Sequence, residues 1–258
     1  MTLSRKRYKN DAKSFLKNNY WICFIICFIV ILISSLFDFE INYNSAEDFS
    51  NNPFIQAENG FRGKISLFGF SINNFNNIQA VTGFMVIFLL LVTFCINIFI
   101  VNPLMCSQKY FFLNNCKIEK QGNRKDLFFA FKTNYRNIVF VSFITDLIIG
   151  AGFLLLIIPG IIFSYMFRFV PYILTENPDI SLSNALKKSK EMTDNIKIDL
   201  FVFDLSFILW YILASVINGL VFLFPFVKIP LGSCLLAPYT EQTFAFVYSD
   251  IRSKYTLY

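Results

Sequence analysis

Long apolar runs alternate with polar, charged segments along the 258 residues of the chain. A helix crosses a hydrocarbon core roughly 30 Å thick with about 20 apolar residues. The runs predict spans at 20–37, 78–101, 138–158, 160–175, 200–224 and 231–249. The third and fourth spans come from one apolar stretch, Ile138 to Tyr172. As a single helix it would reach roughly 52 Å at 1.5 Å per residue, too long for one crossing. Pro159-Gly160 is a turn signal inside it, so the pattern predicts a hairpin turning there. The expected fold class is all-α: a polytopic membrane protein with six transmembrane helices in three in–out–in hairpins.

The polar segments fill in the rest. Residues 1–19 are basic, and Leu3, Ala12, Phe15 and Leu16 give a weak apolar face, which predicts an amphipathic segment lying on anionic lipid. No small-residue cleavage site follows the first run, so it reads as a retained span. Residues 38–77 form a polar, acidic external loop. Span 2 stops at Asn102-Pro103, and 102–137 reads as a basic cytoplasmic loop. Within it Asp126 caps a short interfacial helix carrying Leu127, Phe128, Phe129 and Phe131. In 176–198, Leu182, Leu186, Ser189, Thr193 and Ile196 recur at helical spacing and predict a cytoplasmic amphipathic helix. Residues 250–258 are the tail. Of the 23 Lys and Arg, only Arg62, Lys64 and Lys228 fall on the external side, and Arg168 lies inside a span. The positive-inside rule then places both termini in the cytoplasm, with the plasma membrane as the expected location.

Composition narrows the chemistry. Charged residues make up 16% of the chain, against about 25% in soluble domains. There is no His, which excludes His-based triads, His-bound zinc, haem ligation by His and His pH switches. The six Cys all lie outside 38–77, so that loop has no disulfide framework. Cys23 and Cys27 share a helix face and read as small packing residues. No Walker loop, dinucleotide turn or Cys-x-x-Cys pair occurs, and no cofactor or metal is implied. The aromatic and basic character of 104–137 fits a face beside anionic lipid better than nucleic-acid binding.

Four ionisable residues sit inside apolar runs: Asp146, Arg168, Asp204 and Glu241. Each costs roughly 2.5–3.5 kcal/mol at a helix centre on insertion scales, so each needs a partner, a cavity or a task. The topology gathers all four into the inner leaflet. One reading pairs Asp146 with Arg168 as a structural brace across the hairpin. The other is a polar cavity in which Asp204 and Glu241 accept a cation, a proton or a headgroup. Pro103, Pro171 and Pro238 stand near the inner ends of returning spans, and Pro171-Tyr172 and Pro238-Tyr239 repeat. Tyr172 and Tyr239 therefore join Asp204 and Glu241 as the candidate ligand-binding set. An intramembrane aspartyl hydrolase is a third reading, but its Gly-x-Gly-Asp motif is absent around Asp146 and Asp204. Pro178 ends span 4, and Asn177 or Asp179 caps the helix that follows.

Several segments match a known pattern. They are Leu156-Ile-Ile-Pro159-Gly160-Ile161, Pro171-Tyr172-Ile-Leu-Thr-Glu176-Asn177-Pro178-Asp179 and Ala185-Leu186-Lys-Lys-Ser189. Supporting matches are Asp126-Leu127-Phe128, Phe131-Lys132, Asp204-Leu205-Ser206-Phe207 and Pro238-Tyr239. Together they resemble a bacterial multi-pass membrane family known as domain of unknown function 975. The resemblance covers nearly the whole chain and implies a multi-pass protein of low-GC Gram-positive bacteria. It implies no reaction, substrate or catalytic residue. The sequence thus predicts a non-enzymatic membrane component, transport-related or accessory, with a polar inner-leaflet site. The alternative is a structural or assembly protein with a membrane-protein partner and no ligand site.

Overall fold

Nearly every apolar run is realised as helix in the computed structural model, which describes residues 4–36, 40–42, 64–67, 70–72, 79–116, 124–222 and 230–255. Helix α1 (Arg5–Leu36) is continuous, and its 32 residues reach about 48 Å. Tyr8, Ala12, Leu16, Cys23, Ile26, Cys27 and Val30 recur on one face and are buried. That face packs along α11 (Leu231–Tyr255). Residues 5–19 are therefore not a separate surface helix. They extend the first helix by some four turns, because their apolar positions continue the same stripe. Arg5, Lys6, Arg7, Lys13 and Lys17 stay exposed.

Helix α2 (Gln79–Ile96) runs through a π-turn at Asn97–Val101 into α3 (Asn102–Asn114). Pro103 was expected to end the span, and it does not. The Asn102 N–H reaches back five residues to the Asn97 carbonyl, and this wider turn makes room for a proline ring within a continuing helix. The start of the expected cytoplasmic loop is thus a core helix, with Leu104, Cys106, Phe111, Phe112 and Leu113 buried. A short 3₁₀ turn, Arg124–Phe128, and α4 (Phe129–Lys132) follow; Leu127 and Ala130 are buried, while Phe128 and Phe131 are exposed beside Lys125 and Lys132. Asn114 donates to the Asp126 carboxylate at 3.1 Å.

The expected hairpin forms from α5 (Tyr135–Leu155) and α6 (Ile157–Met166), but it turns at Leu156. Leu156 is extended, with φ −161° and ψ 153°. Pro159 and Gly160 lie inside the first turn of α6, where a missing N–H breaks no helical bond. Gly160 serves packing instead. A Cβ there would meet the Phe153 ring at 2.4 Å, and one on Gly152 would stand 3.1 Å from the Gly160 Cα. The tip from Leu154 to Ile158 is wholly apolar and at least 69% exposed, which suits lipid and not water.

After a break at 167–169, α7 (Val170–Glu176) carries Pro171 in its first turn. The Val170 N–H goes to Phe167, leaving the Met166 carbonyl without a helical donor. Helix α8 (Leu182–Thr193) supplies donors: the Ser189 and Thr193 hydroxyls bond that carbonyl at 2.8 and 3.2 Å. Ser189, Thr193 and Ile196 are all buried, so the stripe read in this segment faces the core. The fifth apolar run splits into α9 (Lys197–Leu205) and α10 (Ile208–Phe222), bent by 44°. At the bend Lys9 donates to the Ser206 carbonyl at 2.8 Å, with its ammonium 4.0 Å from the Phe207 ring centre.

Helix α11 passes through Pro238 and continues to Tyr255, into the expected tail. With α3 and α7 it contributes fully buried side chains to the core: Phe111, Phe112, Tyr172, Ile173, Ala245, Val247 and Tyr248 are at most 2% exposed. Among the described residues four helices are long and apolar enough to cross a membrane: Arg5–Ser35, Ile87–Asn114, Tyr135–Leu155 and Ile157–Glu176. The bent pair Lys197–Leu205 and Ile208–Val221 makes a fifth if taken as one span. The body is thus all-helical, as expected of a membrane protein. Within the 38–77 segment three short strands, Glu40–Asn42, Lys64–Leu67 and Phe70–Ile72, pair antiparallel in chain order, with Ile65 opposite both Ile41 and Ile72. The rest of that segment lies outside the described residues.

Candidate functional site

Two ion pairs join the helices where the sequence placed its costly charges. Arg168, in the break between α6 and α7, grips Asp204 of α9 with both arms of its guanidinium, at 2.5 and 3.0 Å. Tyr165 adds its hydroxyl to the same carboxylate at 2.7 Å. The guanidinium carbon lies 4.0 Å from the centre of the Phe244 ring on α11. The fork geometry matches a carboxylate, and the ring face favours a cation. Lys109 of α3 pairs with Glu241 of α11, and its ammonium lies 5.7 Å from the centre of the Tyr172 ring.

These pairs correct the expected assignments. Arg168 does not bond Asp146; its partner is Asp204. Asp204 and Glu241 are each neutralised by a cation of the chain's own, so neither is a free acceptor. Tyr172 is 2% exposed, stacked on Tyr248 with centroids 4.8 Å apart, and its buried hydroxyl has no partner among the described residues. Tyr239 lies elsewhere, edge-on to Phe207 and Trp210. Of the four residues expected to bind a ligand, only Tyr239 lines either of the cavities described below.

A different set lines the first of these. A cavity of about 220 Å³ opens between α3, α5, α6 and α7. Asn102 and Lys109 line it from α3, Ser142, Thr145 and Asp146 from α5, and Ser164 and Arg168 from the returning leg. Phe167, Val170 and Pro171 give it apolar walls. Asp146 accepts one hydrogen bond, from the Asn102 amide at 2.6 Å. Among the described residues no Lys or Arg lies within 4.0 Å of it. Thr145 spends its hydroxyl proton on the Val141 carbonyl and Ser164 on the Ile161 carbonyl. Their oxygens keep only acceptor capacity. Lys109 and Arg168 are offset by Glu241 and Asp204. With those two cations offset by their partners, Asp146 is left as the one uncompensated charge of the lining. Among the described residues no three Cys, Asp or Glu converge as metal ligands.

The Glu176-Asn177-Pro178-Asp179 segment is a latch. Glu176 meets Arg252 at 2.8 Å and accepts from the Tyr248 hydroxyl at 3.0 Å. Asn134 donates to Asp179 at 2.8 Å, and Asn137 donates to the Pro178 and Ile180 carbonyls at 2.7 and 2.8 Å. Asn177 ends α7 and does not cap α8, whose N-cap is Ser181. Asp179 is occupied by Asn134. The sequence reading missed Asn102, Lys109 and Asn137. It treated Pro103 as a stop and so never placed Lys109 on a helix. The spacing of Leu104, Gln108, Phe111, Phe112 and Asn115, all buried, was the available signal.

A family model described as "Protein of unknown function (DUF975)" matches residues 53–255, and the chain belongs to that family. No curated protein and no solved structure matches it.

Proposed function

We propose that this chain is a multi-pass plasma-membrane protein, not an enzyme, that accepts a small cation at Asp146. It acts as a transport-related or accessory component. The observation that carries the reading is a carboxylate with no cation of its own, in a cavity where the Thr145 and Ser164 hydroxyl protons are already committed. A carboxylate without a counter-charge, beside hydroxyl oxygens that can accept, favours a cation or an ammonium group. The Lys and Arg asymmetry supports cytoplasmic termini and six spans in three in–out–in hairpins, with the cavity in the inner leaflet. Exposed Arg5, Lys6, Arg7 and Lys125, Lys132 support contact with anionic lipid at the same surface.

The test uses the purified full chain in nanodiscs, titrated with potassium, sodium or methylammonium chloride at constant ionic strength. Binding to the folded state raises the melting temperature in proportion to RT ln(1 + [L]/Kd). At least one of the three cations is expected to raise it in the wild type and not in Asp146→Asn. An equal response in both proteins, or none in the wild type, overturns the assignment. Cation uptake into proteoliposomes then separates a carrier from an accessory component.

A further inference from the structure

On the opposite side of α11 from the ion-paired layer, α10 and α11 splay into a wedge. They touch at Gly232, where an added Cβ would lie 2.1 Å from the Ala214 carbonyl oxygen. Asn218 ties the same end by accepting from the Gly232 N–H at 2.7 Å and donating to Ser233 at 3.1 Å. From there the groove runs to Trp210, four residues or roughly 6 Å from Ala214 along α10, and to Tyr239, seven residues or roughly 10 Å from Gly232 along α11. The groove between them holds about 260 Å³. It is apolar from Ala214 to Leu236, and its open end is lined by Trp210, Tyr239 and Lys13 of α1.

We infer that this wedge binds one anionic phospholipid, with its phosphate on Lys13 and an acyl chain running toward Gly232. Charge complementarity selects the occupant. The polar groups at the mouth are the Lys13 ammonium, the Tyr239 hydroxyl and the Trp210 indole N–H, and no carboxylate lines the groove. Lys13 lies 5.9 Å from the centre of the Tyr239 ring. Among the described residues neither Lys13 nor Lys17, one turn further along α1, has a carboxylate within 4.0 Å. Lys9, one turn before, is committed to Ser206. Depth fits as well. Tyr20 bonds the Leu235 carbonyl at 3.0 Å, and the neighbouring Trp21 is 73% exposed, as at a membrane interface. Lys13 lies about two turns outward of that level, among headgroups, and Gly232 inward of it, among acyl chains. The inference rests on the membrane placement proposed above and is independent of the Asp146 site.

Native mass spectrometry of the full chain, released from nanodiscs of equimolar phosphatidylglycerol and phosphatidylcholine, tests it. The wild type is expected to retain one phosphatidylglycerol in preference to phosphatidylcholine. Lys13→Gln, a change at an exposed side chain, lowers that retention about fivefold, the worth of one basic residue beside anionic lipid. Leu236→Trp, which fills the groove, lowers retention of both lipids, with folding verified by the melting temperature. Lys6→Gln leaves it unchanged. Equal retention of the two lipids by the wild type, or undiminished phosphatidylglycerol on Lys13→Gln, overturns the inference. The cation response of Asp146 is unaffected by either result.

Discussion

Replacing Asp204 with Asn separates the ion pairing found in the structure from the pairing that helix positions alone suggest. Asp204 holds Arg168 through two charge-assisted hydrogen bonds and also accepts from Tyr165. The paired side chains are 27% and 24% exposed, so the interaction lies between a surface pair and a buried one. An exposed pair contributes about 0–1 kcal/mol, while breaking a buried one costs about 3–5 kcal/mol. A loss of about 2–3 kcal/mol follows for Asp204→Asn, because the Arg168 guanidinium stays against Phe244 without its counter-charge. At roughly 2–4 °C per kcal/mol for a chain of this size, the melting temperature in detergent falls by about 4–12 °C. Asp146→Asn keeps an oxygen for Asn102 and changes it by less than about 2 °C. A double-mutant cycle with Arg168→Gln then couples Arg168 to Asp204 and not to Asp146. The reasoning is refuted if Asp146→Asn destabilises as much as Asp204→Asn, or if the cycle couples Arg168 to Asp146.

Two further outcomes are expected. Gly160→Leu drives a side chain into Phe153 and lowers the melting temperature by several degrees, whereas Gly150→Ala, with nothing within 4 Å of its new methyl, holds or raises it. At the α1–α11 junction burial pushes the Asp250 carboxyl up, but hydrogen bonds from Lys254 and Tyr8 and the charges of Lys254 and Arg7 outweigh it and hold the carboxyl below its usual value. Its contribution is therefore complete above the unfolded carboxylate value, about 4, and is lost as pH falls through the lower folded value. Melting scans from pH 6 to pH 3 show this loss in the wild type, and Asp250→Asn lacks it.

Much of the helical framework was legible because burial and span length leave a periodic trace in one dimension. The stripe from Leu182 to Thr193 reads the same in sequence and structure, although the expected helix is shorter: it ends at Thr193, and Ile196 lies past a break at Asn195. So does the hairpin between Ile138 and Tyr172, although its turn moved to Leu156. Boundaries slipped where a local rule has a structural remedy. Pro103 is a stop by propensity, and a π-turn five residues long absorbs it. Residues 5–19 look like a surface helix by charge, and their Tyr8–Ala12–Leu16 face finds α11 instead.

The candidate site was legible only as an inventory. The sequence by itself determined that charges stand within apolar runs, that His chemistry is absent and that the basic residues lie asymmetrically. Those properties depend on residue type and spacing, and they hold whatever the helices pack against. Which carboxylate meets which cation was decided by tertiary structure alone. Asp146 and Arg168 face one cavity from neighbouring legs of a hairpin. Yet Arg168 turns to Asp204, more than thirty residues away, where a second hydrogen-bond arm, Tyr165 and the Phe244 ring are all in reach. Coulomb attraction and hydrogen-bond geometry act over a few ångströms in space. Sequence distance carries no record of that, and so the acid left uncompensated, Asp146, became known only once the helices were packed.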